Sequence, residues 1–149
     1  MSQTEGNLRA HTARAIANAI GDAARCWSDA DFPPRIRVTR AIEERLGYSE
    51  PVVEYALDRL FESLSADGLI ATIARELGSI EALDGFVAWG NGMRHARGLD
   101  RVVVISSRTT IGVALLPAVF ALCAKADVLV KDRSDELVRS FFATLAQED

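Results

Sequence analysis

The stretch RVVVISSRTTIGVALLPAVFALCAKADVLVKDRSDEL, residues 101–137, decides the fold of this chain. It opens with a β-branched run, residues 101–107, that shows no polar alternation. That is the pattern of a strand covered on both faces. Residues 111–124 are the longest apolar run of the chain. They fall short of the roughly 20 residues that a bilayer-spanning helix needs, so they read as a helix buried on most sides. DVLVK, residues 127–131, is a second strand of the same kind. SDELVRSFFATLAQ, residues 134–147, predicts a last helix with Ser134 as its cap and two acids in its first turn. Strand, helix, strand, helix is a βαβα unit, whose strands should lie parallel with a right-handed crossover.

Upstream, up to about Gly98, the periodicity predicts helices only. The first, from about Gly6 to Trp27, is alanine-rich, and DFPP at 31–34 ends it. A second carries Val38, Ile42 and Leu46 on one face and stops at Gly47. Ser49 is a good cap for a third, with Pro51 in its first turn and a stripe of Val53, Leu57, Leu60, Phe61 and Leu64. A fourth turns Leu69, Ile70, Ile73 and Leu77 inward and closes at Gly78. SIEALDGFVAWGNGM reads as a short helix running into a glycine-rich connection, and GNGMRHARG, residues 90–98, as a linker. Arg35, Arg37, Arg40 and Arg45 are interrupted by Glu43 and Glu44, which suggests a solvated helix face. The organisation expected is therefore α/β: a helical region over 1–98 and an α/β unit over 99–149. Two strands do not make a stable sheet, so the unit is incomplete and its edges lack partners.

The 149 residues suffice for one domain or two small subdomains. A net charge of −4 gives no electrostatic case for nucleic acid, and no stretch is long enough to span a membrane. Cys26 and Cys123 make no CxxC pair, so a reduced, cytoplasmic setting is the default. Cys123, between Leu122 and Ala124, reads as a buried, inert thiol. Cys26 has no histidine nearby in sequence, and His11 and His95 have no metal-ligand spacing.

In open α/β sheets ligands bind outside the carboxyl ends of the strands. Those ends are Ser106-Ser107-Arg108-Thr109-Thr110 and Lys131-Asp132-Arg133-Ser134. Hydroxyls and cations gathered on one rim suit a ribose or a phosphate; solvated strand exits are the alternative. Neither G-x-G-x-x-G nor G-x-x-x-x-G-K-[ST] occurs.

VVVISSRTTIGVALLPAVFALCAKADVLVKDRSDE also resembles the first strand-helix-strand of the aldehyde dehydrogenase cofactor domain. RLGYSEPVVEYALDRLF and ELGSIEALDGF resemble the helical N-terminal region of bacterial acyl-CoA reductases of the bioluminescence fatty-acid reductase type. The resemblance covers roughly residues 35 to 147. It implies a partial Rossmann-like unit of an aldehyde dehydrogenase-type cofactor domain, and reduction of acyl thioesters to aldehydes with NADPH. It also implies site residues. Lys131 matches the lysine that contacts the adenosine ribose hydroxyls or 2′-phosphate. Ser134 replaces the acid that follows it and Arg133 stands beside it, which leans the site towards NADP. Ile105, Ser106 and Ser107 match the strand end that lines the cofactor. Arg108 stands where the family has an oxyanion-binding asparagine, or Thr109 does if the register slips by one; Asp132 replaces a proline. The family's catalytic cysteine lies beyond residue 149, so no catalytic residue is assigned. The expectation is an N-terminal fragment or truncated acyl-CoA reductase, inactive alone, with weak NADP binding. Its partner would be a second copy or the missing C-terminal half. The alternative is a non-catalytic interaction module that pairs with a separately encoded partner. Neither reading includes a nucleic-acid, membrane or metal partner.

Overall fold

A computed structural model describes residues 8–107, 110–131 and 136–147. A 3-10 turn, Leu8–Ala10, leads into α1, Ala13–Ser28. This helix starts later than the alanine content suggested, because the Thr12 hydroxyl caps it by accepting from the Ala15 amide at 3.1 Å. α2 spans Pro33–Leu46, with both prolines in its first turn and left-handed Gly47 at its end. α3 spans Glu50–Glu62. Ser49 occupies its cap position as expected, but accepts there through its carbonyl and makes no side-chain cap bond. α4 spans Ala66–Leu77 and ends at Gly78.

α1 is the central helix and packs against α3, α4, α5 and α6. It buries Ala13, Ile16, Ala17, Ile20, Ala23, Ala24 and Trp27. Small side chains around most of its circumference let several neighbours approach at once. Trp27 anchors the centre, with its ring 5.3 Å from Phe61 and 6.1 Å from Phe141, and its indole N–H donating to Thr144 Oγ1 at 3.0 Å. One apolar cluster thus contains helical-region residues together with Val104, Leu115, Val119 and Phe141.

The expectation of helices only before Gly98 is corrected. After a 3-10 turn at Ile80–Leu83, β1, Val87–Trp89, and β2, Gly92–Arg94, form an antiparallel hairpin. Part of the supposed linker is therefore a strand. Gly90, at φ 56°, leads its two-residue turn, where a left-handed residue fits the twist of the strands.

β3, Arg101–Ile105, and β4, Asp127–Lys131, pair in parallel as expected, in register from Arg101 opposite Asp127 to Ile105 opposite Lys131. α5, Leu115–Cys123, connects them and packs on both. It begins four residues later than its apolar run, because Gly112 turns left-handed at φ 66° and brings the backbone against Leu60 and Leu137. α6 spans Leu137–Leu145; the expected Ser134 cap lies outside the described residues.

Coverage of both sheet faces is also corrected. Val102, Val104, Val128 and Val130 turn towards the core, whereas Val103, Ile105 and Leu129 are exposed. The described elements cover one face of this two-stranded sheet.

Asp84 ties three elements together. Its carboxylate accepts from the Ala13 amide at 2.9 Å and lies 2.5 Å from Lys125 Nζ. It thereby joins the start of α1, the approach to the hairpin and the turn from α5 into β4.

Candidate functional site

The rim at the carboxyl ends of β3 and β4 is where sequence reasoning placed a ligand. Parallel pairing brings the two ends together: the Ser106 amide donates to the Lys131 carbonyl at 3.0 Å. Ile105 and Lys131 are register partners, so their side chains leave the same face, and both are exposed. Ser107 is exposed as well. Ser106 points the other way. It is buried towards the core side, and its hydroxyl donates to the Ser107 carbonyl at 3.0 Å. Of the predicted residues, Ile105, Ser107 and Lys131 can therefore meet a ligand directly from one side, and Ser106 supports the rim from behind. Arg108, Thr109, Asp132, Arg133 and Ser134 lie outside the described residues.

The chemistry of this rim is cation and hydroxyl. Lys131 supplies a point charge on a flexible stem, suited to a phosphate or vicinal hydroxyls. Arg45 at the end of α2 pairs with Glu136 before α6 at 3.3 Å, which ties α2 to the second half of the chain.

Of the two thiols, Cys123 is poorly suited to act as a nucleophile. Cys123 is buried in α5, and desolvation pushes its thiol up to about 12, where almost no thiolate forms near neutral pH. Cys26 sits in α1, partly buried. No group of three metal-ligating side chains occurs among the described residues. An apolar groove of about 380 Å³, lined by Ile73, Leu77, Leu83 and Phe120, ends at Ala124. Ala124 follows the carboxyl end of α5, so the groove lies away from the strand-end rim.

Arg35 corrects the reading of a solvated basic helix face. Its side chain is buried, with Nη1 donating to the Trp27 carbonyl at 2.9 Å and Nη2 to Asp58 Oδ1 at 2.8 Å and to the Glu54 carboxylate. Burial, the largest influence on its guanidinium, acts to lower the pKa. Asp58 and Glu54 together outweigh it and hold the group above its ordinary value. The spacing carried the signal. Arg35 lies one turn before Val38 and Thr39 on the inward face of α2, and Glu54 and Asp58 are one turn apart on α3.

No helix among the described residues is long and apolar enough to cross a membrane. No curated protein matches the chain. The sequence model of one family does, that of acyl-CoA reductase (LuxC), over residues 8–149. The match spans the helical region, the hairpin and the β3–α5–β4 unit alike, so the chain belongs to the acyl-CoA reductase (LuxC) family.

Proposed function

We propose that this chain forms the N-terminal part of an NADPH-dependent acyl-CoA reductase, and that the β3–α5–β4 unit begins its cofactor domain. The observation that carries the reading is the register of Ile105 with Lys131 in a chain of this family. It sets an exposed ammonium beside an exposed strand end, on the side of the sheet where nucleotides bind in open α/β folds. The residues fit a nucleotide's adenosine end: Lys131 for the 2′-phosphate or ribose hydroxyls, Ser107 as a hydroxyl partner, and Ile105 as an apolar floor. The bound cofactor supplies the hydride that converts an acyl thioester into an aldehyde. This chain's own contribution is to hold that cofactor's charged end. Cys123 is buried with its thiol pushed up to about 12, so this reading gives it no part in attack on an acyl group and expects the 149-residue chain by itself to be inactive.

The test is a chemical-shift titration with 2′,5′-ADP and with AMP, on the native chain and on Lys131→Ala. A charge-assisted bond is worth about 1.5–3 kcal/mol, or roughly tenfold to a hundredfold in affinity. Binding is expected on the order of millimolar, since one side of a site is present. The 2′-phosphorylated ligand should bind better, with shifts at residues 105–107 and at Lys131, and Lys131→Ala should abolish its advantage. No perturbation of the rim by either nucleotide at several millimolar refutes the reading.

One observation favours a second reading, a non-catalytic module that docks a separate partner. Val103, Ile105 and Leu129 form an exposed apolar sheet face that a partner would cover. An unresponsive rim together with a defined oligomer would select it.

A further inference from the structure

Among the described elements β3 and β4 form a two-stranded sheet, so each strand has one neighbour and one open edge. Two bonds fix which way the backbone of β4 points. The Asp127 amide donates to the Asp100 carbonyl at 2.9 Å, and the Lys131 carbonyl accepts from the Ser106 amide at 3.0 Å. The N–H and C=O of one residue leave a strand on the same side, and the side alternates along the chain. Asp127, Leu129 and Lys131 therefore bond towards β3, and Val128 and Val130 offer their backbone groups at the open edge. Such a row is a template for a further strand.

The sequence of β4 narrows which strand fits. DVLVK, residues 127–131, is its own complement about Leu129. When two copies pair antiparallel around that centre, Val128 of one and Val130 of the other exchange both backbone bonds, which the open groups require. Leu129 meets Leu129, and Asp127 meets Lys131 twice, at the positions where cross-strand side chains come closest. The next registers of correct backbone phase set Asp127 or Lys131 opposite Leu129, so phase and charge order select the same pairing. The open edge of β3 lacks this property, because full overlap sets Arg101 opposite Ile105. Lys131 has no ion pair among the described residues. Asp127 is 76 % exposed and lies 3.8 Å from Arg101, at the limit of an ion pair and on the β3 side, away from the open edge.

We propose that the β4 edge is a contact between two copies of this chain, which join antiparallel into a four-stranded sheet about a two-fold axis. Asp127 and Lys131 select the second copy and its register. The joined sheet lines up Val103, Leu129, Leu129 and Val103 as one apolar row across its bare face. The contact needs no nucleotide and neither does its test, so it stands or falls separately from the proposed cofactor site.

The experiment is sedimentation velocity of the 149-residue chain at tens of micromolar, where a dimer is expected. Asp127→Lys and Lys131→Asp each turn two attractive pairs into two repulsive ones, and each should weaken association on the order of tenfold. An equimolar mixture of the two variants sets opposite charges across the axis again and should dimerise like the native chain. Leu129→Cys should give a disulfide-linked dimer under a mild oxidant, since its Cα atoms would lie about 4.5 Å apart. Val103→Cys should not, because three strand spacings, about 14 Å, separate its two copies. The native chain, with Cys26 and Cys123, sets the background. All the substituted positions are exposed, and circular dichroism verifies that the variants stay folded. A monomeric native chain overturns the proposal, as does a mixture that associates no better than either variant alone. Linkage through Val103→Cys as readily as through Leu129→Cys overturns it too, because the sheets would then meet face to face.

Discussion

Replacing Arg35 with methionine keeps the bulk of the side chain and removes its charge and donors. Three acceptors then change their surroundings. The Trp27 carbonyl loses a buried donor at 2.9 Å, a loss of about 1–3 kcal/mol when no water can replace it. Glu54, with a side chain 32 % exposed, loses its cation but keeps a bond from Thr39 Oγ1 at 3.0 Å. Asp58, 57 % exposed, rehydrates at little cost. Against these losses stands relief: the guanidinium is 1 % exposed and its Nε has no partner among the described residues, so its removal recovers desolvation energy. Removing one partner of a fully buried ion pair costs about 3–5 kcal/mol, and the exposure of both carboxylates lowers this to about 2–3 kcal/mol. Urea unfolding, with unchanged slope, measures it. Asp58→Ala should cost under about 1 kcal/mol. Glu54→Gln on top of Arg35→Met should be nearly free, since the carboxylate has already lost its cation. A loss below about 0.5 kcal/mol for Arg35→Met would place it among ordinary surface substitutions and refute the buried-anchor reading.

Two further perturbations follow from the same reasoning. Glu81 accepts from the Ser79 hydroxyl and, secondarily, from Arg14, which lowers its carboxyl from 4.5 to about 2. A depressed folded-state value stabilises above the ordinary one and is lost as pH falls from about 4.5 towards 2. Glu81→Gln should therefore flatten the acid limb of stability against pH, and an unaltered limb would remove the carboxylate from the account. On the bare sheet face, Val103→Thr with Ile105→Thr keeps the β-branching while adding hydroxyls. Native chain at tens of micromolar should sediment as a dimer or larger, and this variant should shift towards monomer. A monomeric native chain would show that the face does not associate.

Legibility in the sequence followed the strength of the local pattern. β3 and β4 are β-branched runs bounding an apolar helix, and nothing else fits that order. Glycines 47 and 78 marked two helix ends because the chain turns left-handed there. The hairpin escaped because its strands are three residues long and its alternation pairs apolar residues with Arg94 and His95. The Trp-Gly-Asn-Gly-Met stretch, residues 89–93, was the available signal, a two-residue glycine turn between short runs. Sheet burial escaped for a different reason. An unbroken apolar run states that both faces are compatible with burial, and what covers each face is a property of the other elements. On one side α5 and the core supply cover; on the other the described residues place nothing over Val103, Ile105 and Leu129.

That uncovered face and the nucleotide rim are one problem. Ile105 belongs to both, as the last apolar residue of the face and the register partner of Lys131. Leu129, two residues before Lys131, points the same way. An element that buries Val103 and Leu129 must end beside the Lys131 ammonium or pass over it. If it passes over with an apolar surface, it strips water from a cation that pairs with no acid among the described residues, which is costly. If it ends there, it leaves the ammonium at the mouth of a cleft, where a phosphate can meet it at reduced dielectric. Completion of the sheet and completion of the site are therefore coupled. A partner that suppresses self-association through this face should tighten 2′,5′-ADP binding at Lys131, and a partner that covers the face without changing that affinity would show that the ammonium serves only the strand's exit into solvent.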